Sequence, residues 1–371
     1  MPTMHADDAV PAADAAIWAD AARFDPTLAA TPRQLRRLAP RRVLPQPYSR
    51  RALFEAMSEG RPALLAGLRV LVRDSERTVD DPDALAAMIA RAFGPGERIS
   101  VQIGRNGVRR RIPVVELVRR WRGRRRIVSV TDLHVRETRL AREIDLAALS
   151  GFNLLPHGSE RMQLQEMMTL VVSSRGNVTD SHSDDPDGSN HCFTGRKLWL
   201  AWETFEGRRA GLEDVQREPV GDRAAFDLDA FCRLPSARWW VVGPGQTLFL
   251  PGKLTHKVVT LDAYIGIGSF YVAPDSCLDS LSRWYVHGPL WSMDEGAAEN
   301  AGLVDEIAYA MNARLEWLAR QPAAVRRAWG MDYLPRSLAH WERSWSRARQ
   351  RFLMAQPPFA NLMRTVRGLA A

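Results

Sequence analysis

The sequence predicts a mainly β chain with α: an antiparallel barrel or jelly roll at its centre, α/β elements before it and a helical region after it. Three observations carry this reading. From Met162 the run MQLQEMMTLVVSS alternates and then turns continuously apolar, as a strand buried on both faces does. Short apolar runs follow at even spacing, separated by Gly243-Pro244-Gly245 and Pro251-Gly252, the residues of tight turns. After Pro274 the apolar period becomes that of helices.

Taken in order, residues 1–45 form an N-terminal extension, Ala- and Asp-rich at first, with Trp18 and Phe24 as its large anchors. A poorly ordered start and then a short helix are expected, followed by the basic, proline-punctuated stretch up to Arg42. Residues 46–160 are an α/β flank. Tyr48 to Glu59 reads as a helix closed by Gly60, and PALLAGL as a buried strand and turn. Asp80 to Phe93 has an acidic start and helical spacing, and Gly94-Pro95-Gly96 stops it. Ile99 to Ile103 alternates as a strand, and Ile112 to Trp121 reads as a helix.

Residues 161–275 hold the β core. Thr179 to Asp184 is a strand, and Asp185 to Asn190, DPDGSN, is a turn by composition. Lys197 to Trp202 is a strand, and Phe205 to Phe231 a charged insertion with one helix toward its end. Strands return at Trp239–Val242, Gln246–Leu250, His256–Leu261 and Tyr264–Val272. Residues 276–371 are helical, with helices over Ser276–Trp284, Glu299–Leu318, Ala323–Trp329 and Ser337–Phe352. Such a tail packs on the barrel or pairs two copies into a homodimer.

Of the 371 residues 46% are hydrophobic and the formal charge is +8, a globular composition without the signature of disorder. No window of about 18–20 uncharged apolar residues suggests a membrane span, and the start lacks a basic region followed by an apolar run. Cys192, Cys232 and Cys277 lie far apart and form neither a zinc pattern nor a disulfide framework, so a reducing cytoplasm is expected. Cys192 reads as a small buried apolar residue. The arginines from Arg105 to Arg126 invite a nucleic-acid reading, but no aromatic interleaving accompanies them, and a solvated basic face is the better account.

Lysine occurs only at 197, 253 and 257, against an otherwise arginine-based positive charge. All three sit in two segments that also carry metal-ligand residue types. In the first, His182 and Asp184 are two residues apart, so an extended strand places them on one face. In the second, His256 follows Pro251-Gly252 and opens an apolar run. Two imidazoles and one carboxylate leave open positions on an octahedral metal, the facial arrangement of non-haem Fe(II) oxygenases. Lys197, at the head of LWLAW, supplies a fixed compact cation suited to an acidic cosubstrate beside the metal. Thr179 can add a hydroxyl to the same carboxylate.

His182 alone would more often be a hydrogen-bonded histidine than a ligand. Asp185 rivals Asp184 but points to the opposite face, and His191 stands beyond the expected turn. Lys253 and Lys257 alternate away from His256 and read as surface residues. Asn190 either bonds a cosubstrate or caps the turn. Ser269 and Tyr271, and Gln165 and Thr169, line the pocket only if their strand phase turns them inward.

The combination N-V-T-x-x-H-x-D, then G-R-K, then P-G-x-x-x-H resembles the JmjC branch of the cupin-fold Fe(II)/2-oxoglutarate oxygenases, over roughly residues 160–275. That branch includes the asparagine hydroxylase acting on hypoxia-inducible factor and the JmjC lysine demethylases. The resemblance implies a double-stranded β-helix core. It implies His182, Asp184 and His256 as Fe(II) ligands, and Lys197 and Thr179 as partners of the distal carboxylate of 2-oxoglutarate. The asparagine that some relatives place six residues after the first histidine is Gly188 here, with Asn190 close by.

The resemblance further implies a dioxygenase that consumes O2 and 2-oxoglutarate, releases succinate and CO2, and hydroxylates a protein side chain or a small amino-acid-like molecule. Lysine demethylation uses the same core motif, and a non-enzymatic cupin-like scaffold is the alternative from another class. The absence of a Cys/His zinc module favours hydroxylation, and the intact ligand set argues against a scaffold.

Overall fold

The structure is a computed structural model. It describes residues 11–70, 81–94, 96–104, 108–123, 127–135, 140, 149, 151–155, 168–184, 186–212, 226–252, 254–287 and 297–371. The fold is mixed, with two large sheets of almost entirely antiparallel strands and many helices. Gln165, Asp185, Lys253 and the two ends of the arginine cluster, 105–107 and 124–126, lie outside the described residues.

The N-terminal extension begins with helix α1 (Ala12–Ala22) and helix α2 (Pro32–Leu38). Helix α2 starts where it does because Thr31 and Gln34 form a reciprocal capping box and Pro32 occupies the first turn. Strand β1 (Gln46–Pro47) leads to helix α3 (Arg50–Met57), capped by the Ser49 side chain, and then to β2 (Ala63–Ala66). Helix α4 (Pro82–Ala92) is capped by Asp81, whose carboxylate accepts from two backbone amides.

Strands β3 (Arg98–Ile103) and β4 (Val108–Pro113) form a hairpin that feeds helix α5 (Val114–Arg120), and β5 (Val128–His134) closes the flank. The sequence expectation of a helix from Ile112 is corrected here: Ile112 pairs with Ile99 across the hairpin, and Pro113 precedes the first helical turn. Strand β4 is an edge of its sheet, and its run of exposed arginines gives that edge a charged surface unsuited to pairing with another strand.

The core strands are β6 (Met168–Ser173), β7 (Val178–Ser183), β8 (Asp187–Thr194) and β9 (Lys197–Glu203). Helices α6 (Thr204–Arg209) and α7 (Leu228–Arg233) precede β10 (Arg238–Val242), β11 (Gln246–Leu250), β12 (Leu254–Thr260) and β13 (Tyr264–Tyr271). The expected turn over Asp185–Asn190 is corrected: the polar run DGSNHCFT is strand β8, held between β11 and β13. Ladder bonds on both sides outweigh the turn propensity of Asp, Gly, Ser and Asn.

The strands form a nine-stranded sheet, β1-β2-β11-β8-β13-β6-β5-β3-β4, and a four-stranded sheet, β10-β9-β12-β7. Among these described strands only the β1–β2 pair is parallel. Between the sheets lies an apolar cluster that includes Val171, Cys192, Trp199, Trp240, Leu248, Val258 and Tyr264. Helices α1, α2 and α7 cover the outer face of the small sheet, where Trp18 meets Trp239 edge to face at 5.4 Å and the Trp239 indole donates to the Leu38 carbonyl. The described part of the extension is therefore docked, through the anchors Trp18 and Leu38.

The C-terminal region comprises α8 (Cys277–His287), α9 (Ala297–Ala319), α10 (Ala323–Ala328), α11 (Leu334–Ser344), α12 (Arg347–Met354) and α13 (Pro357–Ala370). These share a core around Leu278, Leu281, Ile307, Met311, Trp341 and Phe359. The expected single helix over Ser337–Phe352 is two, because Trp345 is extended and Ser346 caps a new helix at Arg349 N. No helix among the described residues is long and apolar enough to cross a membrane.

Candidate metal centre

Strand β7 carries His182 and strand β12 carries His256, and the antiparallel register pairs them directly. Their rings lie 4.2 Å apart, centroid to centroid. Asp184 follows β7 by one residue, and its Oδ2 is 3.7 Å from His256 Nε2. Ligand atoms of His182, Asp184 and His256 lie within 4.8 Å of one another, so the three form a cluster that could hold a metal ion. Among the described residues it is the only such group of three or more His, Cys, Asp or Glu side chains.

Backbone carbonyls orient both imidazoles. His182 Nδ1 lies 2.8 Å from the Asp180 carbonyl, and His256 Nδ1 lies 3.3 Å from that of Leu254. With Nδ1 donating, each ring turns an Nε2 lone pair toward the cluster, the usual arrangement behind a metal-bound histidine. Trp199 lies beside His256, ring centroids 5.2 Å apart at 31°. Burial lowers the His256 pKa well below the ordinary value, with the neighbouring His182 adding to it and the Leu254 carbonyl opposing. Burial raises that of Asp184, against His182 and Arg283. A neutral imidazole is the form that ligates a metal.

The cluster opens into a cavity of about 270 Å³ between the sheets. Thr179, Asn190 and Lys197 all line it beside His182, Asp184 and His256. Lys197 is 3% exposed, and its ammonium sits 4.5 Å from the centre of the Tyr264 ring. It makes no ion pair among the described residues. Burial lowers its pKa to about 7, slightly opposed by Cys192. Asn190 is not a turn cap: it is a β8 residue whose Oδ1 accepts from the Tyr264 hydroxyl at 2.5 Å. Thr169 borders the cavity, whereas Ser269 and Tyr271 share the outer face of β13 with Ile265 and Ile267, and Tyr271 packs against Phe152 and Phe249.

One buried polar atom of a side chain that lines the cavity, Trp199 Nε1, has no hydrogen-bond partner among the described residues. Such a group is costly in a sealed core and natural in a site that receives a polar molecule. Trp199 was not expected from the sequence. The alternation of KLWLAW puts Trp199 on the face of Lys197, a signal that was there to read.

His191 points to the other face of β8, bonded to Thr247 Oγ1 at 2.8 Å, with burial lowering its pKa to about 4. Cys192 is buried between the sheets, its thiol pushed up to about 12 by burial. Lys257 corrects the expectation of a surface lysine. It is buried, 2.9 Å from Asp25 and 3.4 Å from Asp180, so the N-terminal extension is tied by an ion pair to the strand that carries His256.

Neither a family model nor a curated protein matches this chain.

Proposed function

We propose that this chain is a JmjC-type Fe(II)- and 2-oxoglutarate-dependent oxygenase that hydroxylates its substrate. The observation that carries the reading is Lys197. A buried ammonium with no ion pair among the described residues lines the same cavity as a His-Asp-His cluster. A buried cation calls for a partner anion, and the distal carboxylate of 2-oxoglutarate supplies one. Thr179 adds a hydroxyl, and the indole Nε1 of Trp199, without a partner among the described residues, adds a polar group.

The eight strands β6–β13 support a double-stranded β-helix reading of the core. Apart from the consecutive pair β9 and β10, which share the small sheet, they alternate between the sheets, β6, β8, β11 and β13 in one and β7, β9, β10 and β12 in the other.

In this reading His182, Asp184 and His256 hold Fe(II). Bound iron supplies O2 activation coupled to decarboxylation of 2-oxoglutarate, which gives succinate, CO2 and a hydroxylated C–H bond. The chain's own residues orient and shield. Lys197 and Thr179 fix the far end of the cosubstrate, so that its 2-oxo acid end faces the ligand cluster. Trp199, Leu248, Leu250 and Val258 make the apolar walls that exclude water. The carbonyls of Asp180 and Leu254 hold the two imidazoles in one tautomer.

The test is calorimetric titration of 2-oxoglutarate into anaerobically iron-loaded protein. Binding is expected in the wild type and at least a tenfold loss in Lys197→Ala, with iron content unchanged. Equal binding by the variant would remove the role given to Lys197.

A further inference from the structure

A second, larger cavity of about 580 Å³ lies between helix α3, strand β2, strand β9 and the C-terminal helices α11 and α12. It is within the size range of small-molecule sites, about 300–1,000 Å³. Its position relative to the metal cluster follows from strand phase. On β9, Lys197 and Trp199 line the metal cavity, and Ala201 and Glu203, next on the same face, line the larger one. On β12, His256 and Val258 line the first and Leu254 lines the second. Ala201 pairs with His256 across the ladder. The two cavities therefore run end to end along one sheet face, the larger beginning one two-residue step, about 6.6 Å, beyond His256.

The charges of the larger cavity point to the ligand. Four arginines and three glutamates line it, an excess of one positive charge. The glutamates have partners in the protein: Glu55 pairs with Arg51, Glu59 with Arg61, and Glu203 accepts from the Glu206 amide. Arg349 makes no ion pair among the described residues. Its guanidinium is stacked 4.3 Å from the Phe205 ring centre and 6.0 Å from that of Trp345, so its plane is fixed before a ligand arrives. Between Arg349 and the metal end the walls include the apolar Leu64, Ala201 and Leu254.

We propose that this cavity binds the primary substrate, a small monocarboxylate whose carboxylate pairs with Arg349 and whose apolar body extends along Ala201 and Leu254 toward His256. One excess positive charge suits a monoanion, and three glutamates disfavour a dianion such as a phosphate monoester. The inference rests on the oxygenase reading for the word substrate, but not for the binding site itself.

The probes are N-acetyl-L-leucine and N-acetyl-L-phenylalanine, each against its own amide. Calorimetry uses the full-length metal-loaded protein with excess 2-oxoglutarate, so that the smaller cavity is not the one titrated. At least one acid is expected to bind fivefold or more tightly than its amide. Arg349→Gln, on a half-exposed helical position, should reduce that preference below twofold, with its unfolding midpoint unchanged. Acids and amides binding alike, neither binding, or a preference that survives in Arg349→Gln would each overturn the proposal. Titrating 2-oxoglutarate alone into the same wild-type sample separates the two readings. If it binds and the acids are not preferred, only the cavity inference falls; if it fails to bind and the acids are preferred through Arg349, only the oxygenase reading falls.

Discussion

His182 and His256 stand opposite each other on neighbouring antiparallel strands, as direct register partners, with ring centroids 4.2 Å apart. Residues 74 positions apart in sequence are thereby fixed by backbone ladder bonds, not by a loop. A ligand pair mounted on two paired strands is held more tightly than one on flexible segments.

Metal binding should therefore depend on both imidazoles without the fold doing so. His182→Ala is expected to weaken Co(II) binding at least a hundredfold and to leave the circular dichroism spectrum intact. A metal affinity within threefold of wild type would exclude His182 as a ligand.

Lys197 gives a pH signature. Its folded pKa of about 7 lies below the ordinary 10.5, so between these values the unfolded chain binds the proton and the folded chain does not. Stability should thus rise with pH from about 7 to about 10.5 through this group. Lys197→Met should remove that rise and raise the urea midpoint at pH 6–7. Affinity for 2-oxoglutarate should move the other way in the wild type, falling toward about tenfold per unit above pH 7, since the ammonium is the binding form. A pH-independent affinity would contradict the assignment.

Lys257 is answered by Asp25 and Asp180, and Lys257→Met would remove the cation from between two partly buried carboxylates. Allowing for their partial exposure, a loss of about 2 kcal/mol in urea unfolding is expected. Asp25→Asn added to it should recover part of that loss. A change below about 0.5 kcal/mol would mean that the extension is not held by this pair.

Gly195 turns the chain between β8 and β9 at φ +82°, two residues before Lys197. A Cβ there would strike the Ala263 carbonyl oxygen. Gly195→Ala is expected to cost about 2 kcal/mol or more and to weaken 2-oxoglutarate binding with it. A variant with a wild-type unfolding midpoint would contradict this geometry.

Much of the core was legible in the sequence because apolar alternation and Pro/Gly turns mark strands such as Gln246–Leu250 and Tyr264–Tyr271 directly. His182 and Asp184 were legible together because same-face spacing within one strand is local information, whereas His256, Lys197 and Thr179, spread over three strands, were joined to them by the motif combination and the resemblance it carries. Strand β8 was not, since its polar residues obey turn propensity and only its two partner strands make it a strand. Lys257 was misread for a related reason: alternation correctly placed it opposite His256, but that outer face is covered by the N-terminal extension, and Asp25 arrives from far away in sequence. The cavity ending at Arg349 is likewise assembled from segments with no common local pattern.

The central claim is tested most directly by succinate formation from 2-oxoglutarate on anaerobically iron-loaded protein, with and without admission of air. Oxygen-dependent succinate is expected in the wild type, even as slow uncoupled turnover, and none in His182→Ala. No succinate, together with no binding of 2-oxoglutarate to the metal-loaded protein, would contradict it.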